Sequence, residues 1–389
     1  MIDQLRMFAA WFGRVPFGQM LMLWRKMRNE KAHRFGGRLR VNSFFPPFPS
    51  QAYMRFRDAI SARRRVPVST YMALTSRCPF ECDHCSLAGR GGGELSTDKW
   101  LEVISQLKDA GGCIAGFTGG EPLLRDDLET LIEAAGPEME TVLFTTGYGL
   151  DAARAASLAA TGLGCVTVGI EADSPEAHDA VRGLDGSFAQ AKAAIKACHA
   201  AGLYTALSTI GTAGRIASGQ IDAMYAMSAR WGVQEFRLLA PVATGAQAGN
   251  AEFMLDPAGR ETLKQFHIDS NRAARRSGAP AVASFAYLES DEMFGCGGGY
   301  HHLFIDASGN VCPCDLTPLS FGSVAEKSLA DIWAKMGEHF PRPGCKCIMS
   351  QLAEKIAEGQ TLPLPPANAE ELAKQLDPTE LPEGYKRIL

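Results

Sequence analysis

The sequence predicts an α/β protein in which β/α units repeat to form a parallel sheet covered by helices, with a Cys-rich segment behind it. Three observations carry this. The 389 residues are 46% hydrophobic and 21% charged, a globular balance that excludes disorder, collagen and coiled coil as the main architecture. From Val66 onward, short apolar runs alternate with amphipathic helical patterns. Eight of the 11 cysteines fall in two clusters, which in a long chain points to metal ligation rather than disulfides.

In chain order, residues 1–65 read as a basic amphipathic arm. The first forty carry nine Lys or Arg against two Asp or Glu, a balance of +7 in a chain whose net charge is −4. Bulky apolar residues alternate there with cations, and the proline-rich run 44–49 reads as a hinge. Residues 66–255 hold the repeating unit. Strands are expected at 69–74, 113–118, 141–145, 165–171, 204–210 and 235–239, and helices at 97–110, 123–135, 152–160, 188–201 and 221–231. Gly202 and Gly232 stand where helices end before a strand. Residues 256–292 read as a connecting helix and strand, 293–350 as the Cys-rich unit, and 351–389 as a wrap-around tail with proline runs at 363–366 and 378–382. Parallel α/β sheets bind ligands beyond the carboxyl ends of their strands. The active site is therefore expected on the loops that follow each strand.

Cys78, Cys82 and Cys85 follow the first strand of this repeat directly. Three thiolates in one loop can hold three irons of a [4Fe-4S] cube and leave the fourth iron open; a zinc site is the alternative. The C-x3-C-x2-C spacing at this place resembles that of the radical SAM superfamily. The resemblance implies a partial (β/α)6 TIM-like barrel with a small Cys-rich α+β cap. It also implies an open iron that binds S-adenosylmethionine, cleavage to a 5′-deoxyadenosyl radical, and hydrogen abstraction from an unactivated C–H bond. Reduction would come from a donor such as flavodoxin or ferredoxin.

Further residues resemble the family's cofactor-binding motifs. Gly119-Gly120-Glu121 after the second strand is similar to its GGE motif, which receives the methionine ammonium. Glu171 and Arg182 stand at the acidic and arginine positions of the fourth strand and the element after it. His84 takes the place of the usual aromatic residue near the adenine. Gly169 stands where the family has serine, and Ser208 is the candidate substitute.

Cys296, Cys312, Cys314, Cys345 and Cys347 form the second cluster, with Gly309 ahead of Cys314. This resembles a shortened SPASM/twitch extension, which implies one auxiliary [4Fe-4S] cluster. Cys296, Cys314, Cys345 and Cys347 are the preferred ligands, Cys312 is spare or replaces Cys314, and a zinc knob is the alternative. Cys113, Cys165 and Cys198 lie in strand or helix patterns and read as small core residues.

The expected function is radical modification of a peptide or small molecule in a biosynthetic or maturation pathway. A lipid or membrane-associated substrate is a second reading, and a non-catalytic iron–sulfur carrier a third. No nucleic-acid partner is expected. No run approaches the roughly 18 apolar residues that span a bilayer, and the chain's start lacks an apolar core with a small-residue cleavage site. A cytoplasmic protein is expected. Residues 1–40 read either as a contact to an anionic membrane or as a basic packing arm.

Overall fold

The computed structural model describes residues 2–356, 359–377 and 380–389. The chain opens with helices α1 (Ile2–Ala9) and α2 (Phe17–Lys26) and a hairpin of β1 (His33–Phe35) and β2 (Arg38–Arg40). Gly36 and Gly37 both have positive φ, 55° and 77°, as the tight turn between two such strands demands. Helix α3 (Gln51–Ser61) starts at Ser50, whose Oγ accepts the Tyr53 amide at 3.0 Å.

Run 44–49 is not a hinge. Leu39 and Phe48 exchange backbone hydrogen bonds of 2.7 and 2.8 Å, and Phe48 is buried. Just before the run, the Ser43 amide and hydroxyl both donate to the fully buried Glu235, at 2.8 and 2.6 Å. Those bonds plug the arm into the base of the sheet.

The repeat then runs β3 (Ser69–Ala73), α4 (Thr97–Asp109), β4 (Ile114–Thr118), α5 (Leu128–Ala135), β5 (Glu140–Thr145), α6 (Ala152–Ala160), β6 (Cys165–Gly169), α7 (Pro175–Arg182), α8 (Ser187–Ala200), β7 (Thr205–Ile210), α9 (Ala213–Ala217), α10 (Gln220–Arg230) and β8 (Glu235–Leu239). It continues through α11 (Pro257–Ser277), β9 (Ala281–Ser284), α12 (Phe285–Leu288), β10 (His302–Ile305), β11 (Val311–Cys312) and α13 (Leu329–His339). The strands form one sheet in the order β11-β10-β3-β4-β5-β6-β7-β8-β9. Every pairing is parallel except β10 with β11.

The sheet is thus wider than the six strands the sequence suggests. Strand β9 adds beside β8, and the Cys-rich unit adds β10 beside β3, with His302 opposite Ser69. Leu303, Phe304 and Ile305 are fully buried, so the hairpin of the Cys-rich unit continues the core sheet. Parallel strands covered on both faces read as near-continuous apolar runs, as in Ile114–Thr118 and Cys165–Gly169. Helix α4 lays Trp100, Ile104 and Leu107 against this core, spaced for one helical face.

The expected helix at 123–135 is broken. Pro122–Leu124 forms a 3-10 turn, and α5 starts only at Leu128. Between them the Arg125 guanidinium bonds both oxygens of Asp127, at 2.7 and 2.6 Å. The tail returns along the molecule: the Leu362 amide donates to Gly89, the Leu364 amide to Pro318 and the Glu383 amide to Asp291. Of its second proline run, 378–382, residues 378 and 379 lie outside the described residues.

Candidate active site

The first cysteine loop leaves β3 and lies against the end of β4. Two glycines make that approach. A β-carbon on Gly119 (φ 143°) would sit 2.4 Å from the Thr75 carbonyl oxygen, and one on Gly120 would sit 2.2 Å from that of Arg77 and 2.9 Å from Cys78 Cβ. Without side chains, the Gly120 amide donates to Thr75 at 2.8 Å and the Glu121 amide to Arg77 at 2.9 Å. Burial pushes the Cys78 thiol up to about 11, with Glu121, Cys82 and Cys85 adding to the shift. These groups therefore share one electrostatic neighbourhood.

Glu121 is fully buried, and its carboxylate is already filled. One oxygen accepts from Thr145 Oγ1 at 2.7 Å and the Leu123 amide at 3.0 Å, the other from the amide and hydroxyl of Thr146 at 2.8 and 2.5 Å. It ties the end of β4 to the end of β5.

Glu171, just beyond β6, is the electrostatic centre. Oε1 accepts from Arg182 Nη2 at 2.8 Å and lies 3.4 Å from His84 Nε2, while Oε2 accepts from Arg215 Nη2 at 3.1 Å. Burial alone would raise the Glu171 carboxyl, but Arg182, His84 and Arg215 together hold it well below the usual carboxylate range. Its own amide donates to His178 Nδ1 at 3.0 Å. Arg182 Nη1 in turn reaches Cys82 Sγ at 3.6 Å, so one guanidinium joins the acidic residue to the cysteine loop. Arg182 pairs with neither Asp179 nor Asp185. Asp179 is engaged by the Gly186 and Phe188 amides and by Ser187 Oγ, at 2.7 to 2.8 Å.

This geometry explains the glycine at 169. A β-carbon there would lie 2.2 Å from Arg182 Nη2. Restoring the serine that the resemblance would lead one to expect, Gly169→Ser, is predicted to displace Arg182 and destabilise the protein by about 1–3 kcal/mol. A thermal unfolding midpoint equal to that of the parent would refute this. Ser208 pairs in register with Gly169 across β6 and β7, so its side chain stands on the face where the missing serine would be.

The second cluster separates into groups. Cys296, Cys314 and Cys347 line one cavity of about 300 Å³, together with Glu289, His302 and Asp315. The Cys296 and Cys347 thiols influence each other, which pushes Cys296 up and Cys347 down. Burial, with Cys347 and Asp315 nearby, pushes the Glu289 carboxyl up to about 8. Ligand atoms of His302, Cys314 and Asp315 lie within 4.8 Å of one another.

Cys312 stands elsewhere, packed with Ala73 and Phe304 and approached by Arg90 Nη1 at 3.9 Å. Strand β11 ends at Cys312, and the chain turns through Pro313 before Cys314, so the two thiols do not share a face. Cys345 is joined through its neighbour to Cys296, whose amide donates to Gly344 at 2.8 Å, while its thiol donates to the Glu380 carbonyl at 3.1 Å. Cys113, Cys165 and Cys198 are fully buried.

Both donor sets suit iron–sulfur clusters. Soft sulfur donors dominate each, the first in a loop whose backbone leaves no space for a β-carbon, the second on a cavity wall. Sequence reasoning missed Arg215 and Glu289. An arginine in the short helix α9, three residues after its capping Thr212, carries no local motif, and Glu289 has no signal beyond its place ahead of Cys296.

Comparison with known proteins agrees with this arrangement. Residues 72–215 match the radical SAM superfamily, and residues 296–342 match the SPASM iron–sulfur cluster-binding domain. The PqqA peptide cyclase of Rhizobium meliloti (strain 1021) is 31% identical over 282 residues, covering 69% of this chain and 73% of that protein. The PqqA peptide cyclase of Xanthomonas campestris pv. campestris (strain 8004) is 28% identical, covering 71% and 75%. Among solved structures, Streptococcus suis SuiB matches with a TM-score of 0.60 at 14% identity, over 79% of this chain and 81% of that one. SuiB bound to the precursor peptide SuiA matches at 0.56 and 17%, over 73% and 68%. Taken with the cysteine loop at the end of β3, these likenesses identify the chain as a radical SAM enzyme, a member of the radical SAM superfamily with a SPASM iron–sulfur domain, using S-adenosylmethionine and iron–sulfur clusters as cofactors.

Proposed function

We propose that this enzyme abstracts hydrogen from an unactivated C–H bond of a peptide substrate, in a biosynthetic or maturation pathway. The observation that carries the chemistry is the Glu171–Arg182–Cys82 chain of contacts, which fixes the cysteine loop against the strand ends. When bound, the reduced cluster and S-adenosylmethionine supply the 5′-deoxyadenosyl radical that takes the hydrogen. Cys78, Cys82 and Cys85 would hold the cluster. Gly119 and Gly120 leave room for close backbone approach, Arg182 offers its cation to a carboxylate, and His84 and Ser208 border the same strand ends. Glu121 acts in this reading by holding β4 to β5.

Cys296, Cys314 and Cys347 would hold the auxiliary cluster with a fourth ligand from the same region, Cys345 or one of the neighbouring side chains. In this reading Cys312, packed with Ala73 and Phe304, is the spare cysteine. The peptide reading is supported by the names of the relatives, which are peptide cyclases. A second reading, a lipid substrate, is favoured by one observation: the cavity at the auxiliary cysteines is walled on its far side by apolar residues of the N-terminal helices.

The test is anaerobic reconstitution. About eight irons per chain, two cubes of four, and 5′-deoxyadenosine formed from S-adenosylmethionine under a reductant are expected. About four irons with stoichiometric zinc would remove the auxiliary cluster, and no 5′-deoxyadenosine from a fully loaded protein would favour a carrier.

A further inference from the structure

The N-terminal helices are apolar on two sides. A surface helix of a globular protein carries one apolar stripe, toward its core. The inner stripe here includes Met7, Trp11 and Leu23, which line the cavity that ends at Cys296 and Cys314. The outer stripe recurs at the same helical spacing. Leu5, Ala9 and Phe12 are exposed along α1 and the turn after it, and Phe17, Leu21 and Trp24 along α2. Phe12 is 75% exposed and Phe17 72%. Trp24 meets Phe8 edge-on at 4.9 Å, which sets the two helices side by side.

Cations rim this face. Arg6, Arg25 and Arg28 are exposed, Arg14 is exposed but paired with Asp58 at 2.7 Å, and residues 1–29 contain five Lys or Arg against one Asp. No described helix is long and apolar enough to cross a membrane. Exposed aromatic and aliphatic side chains flanked by arginines suit the boundary between headgroups and acyl chains of an anionic bilayer. A second copy of the same face would bring like charges together.

We infer that α1 and α2 lie in the headgroup region of an anionic bilayer with their outer stripe down. The cavity under their inner stripe receives the apolar chain of a lipid from that bilayer and directs it toward the auxiliary cysteines. The second half rests on the lipid reading of the substrate.

The experiment uses full-length protein and two vesicle populations, phosphatidylcholine alone and equal parts phosphatidylcholine and phosphatidylglycerol. The protein is expected to float with the second, less at high salt, and to carry a phosphatidylglycerol adduct in native mass spectrometry. Phe12→Asp with Phe17→Asp should lower vesicle binding at least about tenfold while iron content and 5′-deoxyadenosine formation stay unchanged. Leu23→Trp, which fills the cavity from its inner wall, should keep flotation and lose the adduct.

Equal flotation of parent and double-Asp variant overturns the docking face. So does a dimer in solution that the double-Asp variant abolishes, which would assign the face to a second copy. Flotation without any lipid adduct overturns the chain-binding half and the lipid reading, leaving the radical chemistry to its own test.

Discussion

Glu171→Gln is expected to cost the protein both stability and S-adenosylmethionine cleavage. The glutamine keeps the shape of the side chain but leaves the Arg182 and Arg215 cations facing each other across a neutral amide. Both guanidinium groups bond the carboxylate in the parent, at 2.8 and 3.1 Å. The Glu171 side chain is 4% exposed, Arg182 10% and Arg215 12%. Removing one partner from such a buried pair costs about 3–5 kcal/mol. The folded-state carboxyl is held below its ordinary value, so its contribution is present above the unfolded carboxylate pKa and disappears as pH falls through the folded one. The stability gap between parent and Glu171→Gln should therefore narrow toward acid. Arg182 also contacts Cys82, so its displacement shifts the cysteine loop, and a shift on the order of 1 Å can cost about a hundredfold in rate. Thermal melts at two pH values and 5′-deoxyadenosine assays check both effects. Parent-like behaviour in both would remove Glu171 from the centre of the site.

Gly120→Ala is expected to empty the first cluster selectively. The new methyl group would lie 2.2 Å from a backbone oxygen and 2.9 Å from Cys78 Cβ, neither of which is a flexible side-chain end. Accommodating it must break the hydrogen bonds that the Gly120 and Glu121 amides donate to the Thr75 and Arg77 carbonyls, at about 1–3 kcal/mol, and move Cys78. Iron analysis after reconstitution should fall by about four per chain, one cube, while the second site stays loaded. Unchanged iron would show that the loop adapts without loss.

Much of the fold was legible because each repeat is a local pattern. The strands expected at 69–74, 204–210 and 235–239 match Ser69–Ala73, Thr205–Ile210 and Glu235–Leu239 closely. The membership of the sheet's extra strands was not. A strand was expected within 256–292 and is found at Ala281–Ser284, but neither its four residues nor β10, which begins with a histidine, say that they join this sheet. Only tertiary pairing shows where they belong.

The candidate site divides the same way. The cysteine loop and the glycine pair are contiguous motifs and could be read directly. The contact of Arg215 with Glu171 spans 44 residues and depends on β6 and β7 lying side by side, which no spacing rule conveys. The ambiguity between Cys312 and Cys314 was likewise a question of where a strand stops.

The two hydrogen bonds from Ser43 to Glu235 make the arm something other than an appendage. Glu235 also accepts from Tyr204 and neighbours the fully buried Arg237, whose guanidinium lies about 5 Å from the rings of Phe44, Phe144 and Phe285. Cutting the chain after this point would uncork the base of the sheet and strip the buried Glu235 carboxylate of both Ser43 donors. The Ser43 amide, though it lies outside any helix or strand, should exchange with deuterium as slowly as the strands, because freeing it requires opening the core itself.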